Sequence, residues 1–598
     1  MSENGNPDGS SVQFSEAELF DSIKMLSPKR NTTVATNVDA LVEEQLLHFG
    51  IAAETEFGEV LADISRRIYA CQGDLESMWR LTQQSISTLP QEDKVAYFNA
   101  KKFLCFQLAK LLDNLQNPFR RTYQSLGYSD ATMRAKGNYP IFDNVTAVFS
   151  ATPVITRTAT YIYACAEWIE DAFKGRELLL EIYSRLLNPT SLALANHIVD
   201  MEAGRWAGDY LAWNYNSGMA AIDGVLSHVL GHNDILITSR NMYGGSHQLI
   251  FDWYAKPCNM NIGVESFDGQ SAGDFLRCWT RTHEKYKERL AKPHIDAFLY
   301  LESPSNPHGY VLDVPAICKA AHQVGIRVIL DATVGTPFLV QPLQRDDPEE
   351  RPDFLIHSYT KDLSGSGTVI AGCVIARNED MFIPKGEPGW DNTMFWNVYY
   401  TKGAFLNADA AFEVLQGLKT LESRMLSKCI NTMVLAQFFA RHPKIKVNSS
   451  CLSESTNYTL AQSQLFLGLP APLFTIEMID VPLESFQRFF DNLEPTFAHM
   501  ISLGQTNTIV SCPGLTTHSE LGEDQLSKAG ISPTTMRFAV GMENPMDLLK
   551  HLVSAARLAI DPALSGFSAA WPNEEETKML VEQIYVETHQ QYVKTLLD

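Results

Sequence analysis

The stretch Asp353–Gly372, DFLIHSYTKDLSGSGTVIAG, is the segment around which the rest of the sequence can be organised. Its apolar residues Phe354–Ile356 predict a short buried strand, which leads into His357–Lys361 and then a Ser/Gly-rich loop. An amine between hydroxyl side chains and a glycine loop suits a position beside a phosphate. A lysine that forms a Schiff base must lose its proton, and burial or a neighbouring cation favours that loss. The alternative is an ordinary surface lysine at the end of a strand.

The composition is that of a globular protein with more than one domain. The chain has 598 residues, too many for one core, of which 45 % are apolar and 20 % charged. Its net charge of -22 argues against nucleic acid or an anionic membrane as the main partner. Ten cysteines without a CxxC pair indicate neither a metal site nor a disulfide framework. No apolar run approaches the ~18 residues of a membrane helix, and the polar start MSENGNPDGSS is unlike a targeting peptide, so we predict a cytoplasmic protein.

Two patterns divide the chain. The first 14 residues or so are rich in Ser, Gly and Asn and are predicted to be disordered; apolar residues then recur at helical spacing, as in Val60, Ile64 and Ile68. After a predicted linker at Gly137–Pro140, helical stretches alternate with short β-branched runs, which predicts an α/β domain with a mostly parallel sheet. A helical tract from about 407 to 441 then leads to a smaller α/β domain and an acidic helical tail. The predicted strands are 235–238, 297–301, 327–330, 354–356, 473–479 and 536–540.

Polar residues follow several of these strands, where open α/β sheets bind ligands. Ser217, Gly218 and Met219 precede a predicted helix, whose first N–H groups can bind an anion. Tyr243 stands before two glycines, which would let its ring lie against a planar cofactor. Asp331 ends a strand, and a buried carboxylate there needs a partner such as a protonated pyridine nitrogen. Taken alone, each residue also fits a cap, a turn or a packed side chain.

Three further polar residues complete the set. Asn306, between two prolines, is placed to hydrogen-bond a ring hydroxyl. Arg185, with Tyr183 two residues earlier, suits a phosphate. Arg537 lies within an apolar strand and needs an anion, such as a substrate carboxylate; a structural ion pair is the alternative. With this set, we predict that Lys361 forms a Schiff base with pyridoxal 5'-phosphate (PLP).

The chain from about 145 to 560 resembles the Cys/Met-metabolism, or transsulfuration, family of PLP enzymes. Ten motifs occur in the family's order: ATPVITRTATY (151–161), YSRLLNPT (183–190), SGMAAI (217–222), YGGSHQL (243–249), ESPSNP (302–307), VILDATVGTP (328–337), HSYTK (357–361), GLKTLESRM (417–425), SLG (502–504) and MRFAVGMEN (536–544). The resemblance implies an α/β protein of PLP fold type I, like aspartate aminotransferase, and an enzyme similar to cystathionine γ-synthase, cystathionine γ-lyase or methionine γ-lyase.

The resemblance also implies a role for each matched residue. Lys361 is expected to be the Schiff-base lysine and the proton shuttle, and Tyr243 to stack on the ring and assist proton transfer. Arg537 and Ser502 are expected to bind the substrate carboxylate. The other expected cofactor contacts are Asp331 at the pyridine nitrogen, Asn306 at the ring hydroxyl, Ser217, Gly218, Met219, Ser358 and Thr360 at the phosphate, and Tyr183 and Arg185 from a neighbouring subunit. A dimer would therefore complete the site, and the family is usually a homotetramer.

The implied domain organisation has five parts. They are an N-terminal start and helical extension (1–140), an arm that contributes to the neighbouring subunit's site (141–200), a large PLP-binding domain (201–412), a C-terminal substrate domain (413–562) and an acidic helical tail (563–598).

Departures from the family pattern bear on the reaction. The loop after Lys361 is Asp362–Thr368 instead of the family's Tyr and Gly-His loop, and Ile501 stands where cystathionine-handling members tend to carry glutamate. These departures favour γ-replacement at Cγ of an activated homoserine-type amino acid. The first alternative is a C–S lyase acting on methionine, cystathionine or cysteine. An alternative of another class is a PLP-binding scaffold without turnover.

Overall fold

The computed structural model describes residues 33–85, 99–100, 102–111, 150–161, 166–173, 183–513 and 532–597, with the single positions 20, 114, 129 and 131. The predicted disordered start and the predicted linker Gly137–Pro140 lie outside these residues. The chain divides into two compact units, Met1–Val154 with Arg176–Leu179, and Ile155–Gly175 with Leu180–Asp598. Among the described residues, no helix has both the length and the apolar character needed to cross a membrane.

The first unit contains the helices Val38–His48 and Glu56–Ser85, which confirm the helical pattern in this part of the chain. Asn37 begins the first helix, because its side chain accepts a hydrogen bond from the backbone N–H of Ala40 at 2.9 Å. The two helices pack through a small apolar cluster that includes Val42, Leu46 and Ala62. Residues 102–111 are also helical.

The second unit is built on a seven-stranded sheet with the order β1-β7-β6-β5-β4-β2-β3. The contacts among β3, β2, β4, β5 and β6 are parallel, and β7 is antiparallel to both β6 and β1. The sheet confirms the predicted mostly parallel α/β architecture. Its strands are β1 (Tyr210–Tyr215), β2 (Ile235–Ser239), β3 (Gly263–Phe267), β4 (Ala297–Glu302), β5 (Arg327–Asp331), β6 (Phe354–His357) and β7 (Gly372–Arg377).

Helices cover both faces of this sheet. Alternate residues of each central strand enter different cores: Leu330 and Leu355 pack on one face, and Ile329 and Ile356 on the other. Burial on both faces explains why these strands are continuously apolar in the sequence. The helices in this part of the chain are Ala166–Phe173, Pro189–Ala203, Gly218–Val229, Gly244–His247, Ala272–Lys285, Lys287–Leu290, Val314–Gln323, Thr336–Leu339, Asn378–Met381 and Tyr400–Lys402, with π-helical turns at Gln248–Tyr254 and Phe395–Tyr399.

A second sheet of five strands follows, with the order β10-β11-β12-β9-β8. Its strands are β8 (Ile445–Asn448), β9 (Leu473–Met478), β10 (Ala498–His499), β11 (Ile509–Ser511) and β12 (Thr535–Ala539). Its helices are Tyr458–Gln464, Leu483–Asp491, Pro545–Ala559 and Glu574–Leu597. The last helix contributes Leu580 and Ile584 to the same core as the two sheets, so the predicted tail is helical and packed.

The predicted helical tract between the two sheets consists of two helices, Ala408–Leu418 and Leu421–Ala440. At their junction the guanidinium of Arg424 donates to the carbonyl of Gly417 at 2.8 Å and to the hydroxyl of Thr420 at 3.1 Å. Side-chain donors here replace the backbone hydrogen bonds that a continuous helix would make. The family-like motif GLKTLESRM is therefore a helix junction.

Candidate functional site

The carboxyl ends of three parallel strands meet at one edge of the large sheet. Glu302 at the end of β4 is opposite Asp331 at the end of β5, and Asp331 is opposite Ile356 of β6. All three lie in the buried part of the sheet. The loops that leave this edge carry most of the predicted site residues, as expected for an α/β sheet.

Lys361 lies in the loop that follows β6, with its amine directed toward Ser502 in the segment between β10 and β11. Its Nζ donates a hydrogen bond to Oγ of Ser502 at 3.0 Å. Burial, and secondly the Arg537 guanidinium, lower the pKa of Lys361, while Asp362 acts in the opposite direction. The lowered pKa is what a lysine needs if it is to react as a neutral amine.

The amino-terminal end of the helix Gly218–Val229 forms a small cradle beside Ser358. Ser217 caps the helix, its Oγ accepting from the N–H of Ala220 at 3.0 Å, and the N–H groups of Gly218 and Met219 have no partner within the helix. A Cβ added at Gly218 would lie 2.7 Å from Cβ of Ser358. Only glycine therefore fits there, and the exposed N–H groups suit a phosphate.

Two threonines near this cradle have defined partners. Thr333 Oγ1 accepts from the N–H of Ser358 at 2.8 Å, which joins the loops after β5 and β6. Thr360 exchanges hydrogen bonds with both backbone groups of Ala371, at 3.0 and 3.2 Å. The predicted phosphate contact of Thr360 would require its hydroxyl to leave this pair, so that role stays a prediction.

Asp331 is a buried carboxylate that forms no salt bridge in the described part of the chain. Its Oδ1 accepts from the N–H of Thr333 at 3.0 Å, and its side chain is only 6 % exposed. Burial raises the pKa of Asp331. A cation at this position would favour the charged carboxylate, and a protonated pyridine nitrogen is such a cation.

Glu302 joins two of the predicted cofactor contacts, and sequence reasoning did not single it out. Its carboxylate accepts from the N–H of Tyr243 at 2.6 Å and from the N–H of Asn306 at 3.0 Å. Burial, and secondly the charge of Asp331, raise the pKa of Glu302 to about 8. The ring of Tyr243 lies close to Gly245 and Met219, since a Cβ at Gly245 would be 2.7 Å from the ring and 3.0 Å from Sδ of Met219.

Arg537 is a fully buried cation bound only by neutral acceptors. Its guanidinium donates to Oδ1 of Asn306 at 3.2 Å, to the carbonyl of Ser502 at 2.8 Å and to the carbonyl of Ile501 at 3.3 Å. Its Nε has no partner among the described residues. Burial lowers the pKa of Arg537 to about 10. An unpaired buried guanidinium beside a reactive lysine suits a substrate carboxylate.

Tyr183 and Arg185 have contacts within their own subunit. Arg185 donates to the carbonyl of Tyr400 at 2.5 Å and packs over the rings of Tyr183 and Tyr400. Tyr183 is 41 % exposed. Their predicted role in a neighbouring subunit's site stays a prediction.

Two buried pairs of polar side chains adjoin the loop after β6 and were not anticipated. His357 Nε2 lies 2.6 Å from Oε1 of Glu202, and Nζ of Lys428 lies 2.6 Å from Oδ1 of Asp362. All four side chains are at most 1 % exposed. The two residues of each pair are 155 and 66 residues apart in the chain, respectively, so no local sequence pattern could have joined them. The only signal in the sequence was that Asp362 directly follows Lys361.

The arrangement fits PLP in three respects. The helix that begins at Gly218 presents N–H groups without helical partners, Asp331 is a buried carboxylate without a salt bridge among the described residues, and Lys361 has a lowered pKa. Ser502, Asn306 and Arg537 form a connected group next to the lysine.

Comparison with known proteins agrees with this fit. The family model for Cys/Met metabolism PLP-dependent enzymes matches residues 142–557. The L-methionine gamma-lyase of Fusobacterium nucleatum is 32 % identical over 67 % of this chain and 91 % of its own length. The O-acetyl-L-homoserine sulfhydrylase of Leptospira meyeri is 28 % identical over 67 % of this chain and 91 % of its own length.

Solved structures are similar over the same part of the chain. A putative O-acetylhomoserine (thiol)-lyase from Campylobacter jejuni, solved with N'-pyridoxyl-lysine-5'-monophosphate, has a TM-score of 0.59 and 28 % identity, and covers 68 % of this chain and 96 % of its own. The cystathionine gamma synthase of Xanthomonas oryzae, at 24 % identity, a TM-score of 0.58, and 69 % and 95 % coverage, is similar in fold. These similarities identify an enzyme that uses PLP, against the scaffold alternative. The chain belongs to the Cys/Met-metabolism family of PLP-dependent enzymes.

Proposed function

We propose that this enzyme acts at Cγ of an amino acid and that its main reaction is γ-replacement on an activated homoserine-type substrate. The observation that carries the proposal is the position of Arg537. Its guanidinium is buried and has no anionic partner among the described residues. It donates to the carbonyl of Ser502, whose hydroxyl accepts from the Lys361 amine. A substrate whose α-carboxylate pairs with Arg537 would lie next to the Lys361 amine. Proton transfer at Cα and Cβ by one lysine then requires only small movements of its side chain.

The residues that would hold PLP follow from their positions. Lys361 would be its covalent anchor, Asp331 would pair with the ring nitrogen, and Tyr243 and Asn306 would contact the ring. Ser217, Gly218, Met219, Ser358 and Thr360 would surround the phosphate. When bound, PLP supplies the electron sink that makes removal of the Cα proton feasible.

Several side chains have roles that do not depend on the identity of the leaving group. The hydroxyl of Ser502 orients the Lys361 amine at 3.0 Å. Arg537 orients the substrate through its carboxylate, and Glu302 holds the backbone of Tyr243 and Asn306 in place. The low dielectric of the site strengthens each of these contacts.

The preference for replacement rests on the residue before Ser502. Ile501 is 71 % exposed and presents an apolar side chain at the edge of the site. An apolar residue there offers no partner for the distal ammonium of cystathionine, whereas an acylated homoserine carries no such group. The alternative, a C–S lyase, is supported by the similarity to methionine gamma-lyases.

The test is a comparison of products from the purified holoenzyme. We expect O-acyl-homoserine to yield a thioether amino acid with a thiol, or a thiol amino acid with sulfide, as the acyloxy group leaves as a carboxylate. The kcat/KM should exceed that for release of 2-oxo acid and ammonia from methionine, cystathionine or cysteine. A higher kcat/KM for 2-oxo acid release would favour the lyase. Lys361→Ala should abolish both reactions.

The role of Ile501 can be tested by Ile501→Glu. A carboxylate at this exposed position should attract a distal ammonium, and we expect kcat/KM for cystathionine to rise by about tenfold, which corresponds to roughly 1.4 kcal/mol. Ile479→Glu is the matched control, because Ile479 is also exposed, at 43 %, and lies just after β9. An equal response of both variants would remove Ile501 from the substrate pocket.

We further propose that a homodimer completes the site, through Tyr183 and Arg185 of the neighbouring subunit, and that two dimers form a tetramer. A cytoplasmic location also stays a prediction.

A further inference from the structure

A buried ion pair lies directly behind the reactive lysine. Nζ of Lys428 is 2.6 Å from Oδ1 of Asp362, and the two side chains are 0 % and 1 % exposed. Asp362 follows Lys361 in the loop after β6, and Lys428 lies on the helix Leu421–Ala440. Burying two charges is costly, and removal of one partner leaves the other uncompensated. Such a pair is weak support for stability, so its position next to Lys361 needs another explanation.

The same helix also holds the backbone of this loop. The Arg424 guanidinium, one turn before Lys428, donates to the carbonyl of Asp362 at 2.7 Å. From another direction, Gly504 lies against the loop, since a Cβ there would be 2.6 Å from the carbonyl carbon of Lys361. The backbone at Lys361 and Asp362 is thus held by Arg424 of the helix Leu421–Ala440 and by Gly504.

The pair also affects the electrostatic environment of the Lys361 amine. Asp362 alone would hold the proton on the Lys361 amine, which opposes the effects of burial and of Arg537. The Lys428 ammonium neutralises that carboxylate at 2.6 Å. The charged or titratable groups that face this region are Lys361 and Asp362 on the loop, Arg424, Lys428 and Cys429 on the helix Leu421–Ala440, and Arg537 on β12.

We propose that Asp362 and Lys428 form a positioning pair, in which Lys428 neutralises Asp362 so that Lys361 reacts as a neutral amine at neutral pH while its backbone stays fixed. The proposal rests on the role of Lys361 proposed above. It assigns a function to two residues that neither touch the substrate nor form part of the cofactor cradle. Their effect would act only through Lys361.

The test measures cofactor uptake and does not depend on turnover. Apoprotein is mixed with PLP across a pH series, and the rate at which the visible band of lysine-bound cofactor appears is fitted to a pH midpoint. In Lys428→Met the unpaired Asp362 should retain the proton on Lys361, and we expect the midpoint to rise by about one pH unit or more. In Asp362→Asn the unpaired Lys428 should lower the midpoint. The double variant should return toward the wild-type value.

Opposite shifts of the two single variants are the signature of charge, because damage to the fold would slow uptake in both without reversing the direction. Lys319→Met is the matched control: Lys319 also pairs with an aspartate, Asp347, at 2.7 Å, but in an exposed position away from the site. Its midpoint should equal that of the wild type.

Shifts in the same direction, or none, in folded Lys428→Met and Asp362→Asn would overturn the proposal. If Lys428→Met does not fold, Asp362→Asn and the double variant still test the proposal. A pH midpoint that is lowered in Asp362→Asn and restored in the double variant supports the pair. Any other result overturns it. Lys361→Ala separates the premise from the pair: a band that persists in this variant would overturn the role of Lys361 itself.

Discussion

Asp331 and Arg537 are buried groups of opposite charge that form no salt bridge in the described part of the chain. Asp331 lacks a cation, and Arg537 lacks an anion and leaves Nε unbonded. Buried charges are normally paired. The missing partners are therefore explained if a cofactor cation pairs with Asp331 and a substrate anion pairs with Arg537. For this reason these two buried residues indicate a binding site more strongly than exposed charged residues do.

Gly218 allows a prediction about cofactor affinity. Gly218→Ala would place a Cβ 2.7 Å from Cβ of Ser358, and overpacking of this kind costs about 1–3 kcal/mol. We expect the Kd for PLP to rise about tenfold or more, measured by titrating apoprotein with PLP in the visible range.

Gly208→Ala is the control for this change, because a Cβ at Gly208 meets no atom within 4 Å. Its affinity for PLP should be unchanged. Unchanged affinity in Gly218→Ala as well would mean that the start of this helix does not approach the phosphate.

The helix Gly218–Val229 begins at the predicted phosphate site and has a buried histidine, His228, in its last turn. His228 in its last turn packs edge-on against Phe354, at 5.8 Å between ring centroids, and its Nδ1 has no partner among the described residues. Burial, and secondly the charge of Arg327, lower the pKa of His228 to about 4. The helix therefore depends on a neutral histidine.

The sign of the pH dependence follows from the two pKa values. The unfolded chain binds a proton at His228 near pH 6.5, whereas the folded chain does so only near pH 4. Because the unfolded state binds more protons between these values, the free energy of unfolding falls as pH drops from about 6.5 to about 4. His228→Leu should reduce this loss of stability. The measurement is Tm from pH 7.5 down to pH 5, which covers roughly half of the pH range between the two pKa values.

The exposed His197 provides the control. His197→Leu should leave the difference in Tm between the two pH values as in the wild type. If His228→Leu keeps the full acid sensitivity, another buried group is responsible.

The helix Glu574–Leu597 lies beyond the residues that match the family model, yet it is part of the core. Leu580 is 2 % exposed, and the hydroxyl of Tyr585 donates to Oδ1 of Asn431 at 2.7 Å. Asn431 in turn donates to the carbonyl of Glu543 at 2.9 Å, just after the strand that carries Arg537. The helix thus supports Leu421–Ala440, on which Arg424 and Lys428 lie.

Adjacent residues on this helix give a matched pair of variants. Leu580→Ala should lower the free energy of unfolding by about 2–5 kcal/mol, since it leaves a cavity in the core. Met579→Ala should change it by less than about 0.5 kcal/mol, because Met579 is 58 % exposed. Urea unfolding of both proteins measures the difference. Equal, small effects would show that the helix is not part of the cooperative unit.

At the scale of the whole molecule, the proposed dimer predicts complementation between inactive variants. If Arg185 serves the site of the neighbouring subunit, a mixed dimer of Lys361→Ala and Arg185→Ala has one site with both changes and one with neither. Unfolding and refolding a 1:1 mixture should therefore restore about one quarter of the wild-type activity, since roughly half of the dimers are mixed.

The control mixes Lys361→Ala with Arg537→Ala. These two residues contact the same Ser502 in one chain, so every site in the mixed dimer keeps one of the changes and activity should stay absent. Absence of activity in the Arg185 mixture as well would place Arg185 in its own subunit's structure, where it donates to Tyr400.

Much of the fold could be predicted because its signals are local. The six predicted strands are observed with ends within one residue of those expected, since each is a largely apolar run bounded by polar turns. Six strands were not predicted, namely β1, β3, β7, β8, β10 and β11. Several of them are short or contain polar residues, such as Asn214 in β1, so their apolar pattern is weaker.

The sequence alone predicted six of the strands, the helical tracts, the order of the family-like motifs and the candidate site residues, because each depends on a few neighbouring residues. The tertiary structure decided which residues act together: Arg537 and Ser502 with Lys361, Glu302 with Tyr243 and Asn306, and Lys428 with Asp362. The physical reason is that hydrogen bonds, burial and pKa shifts depend on distances between segments far apart in the chain, and only packing sets those distances.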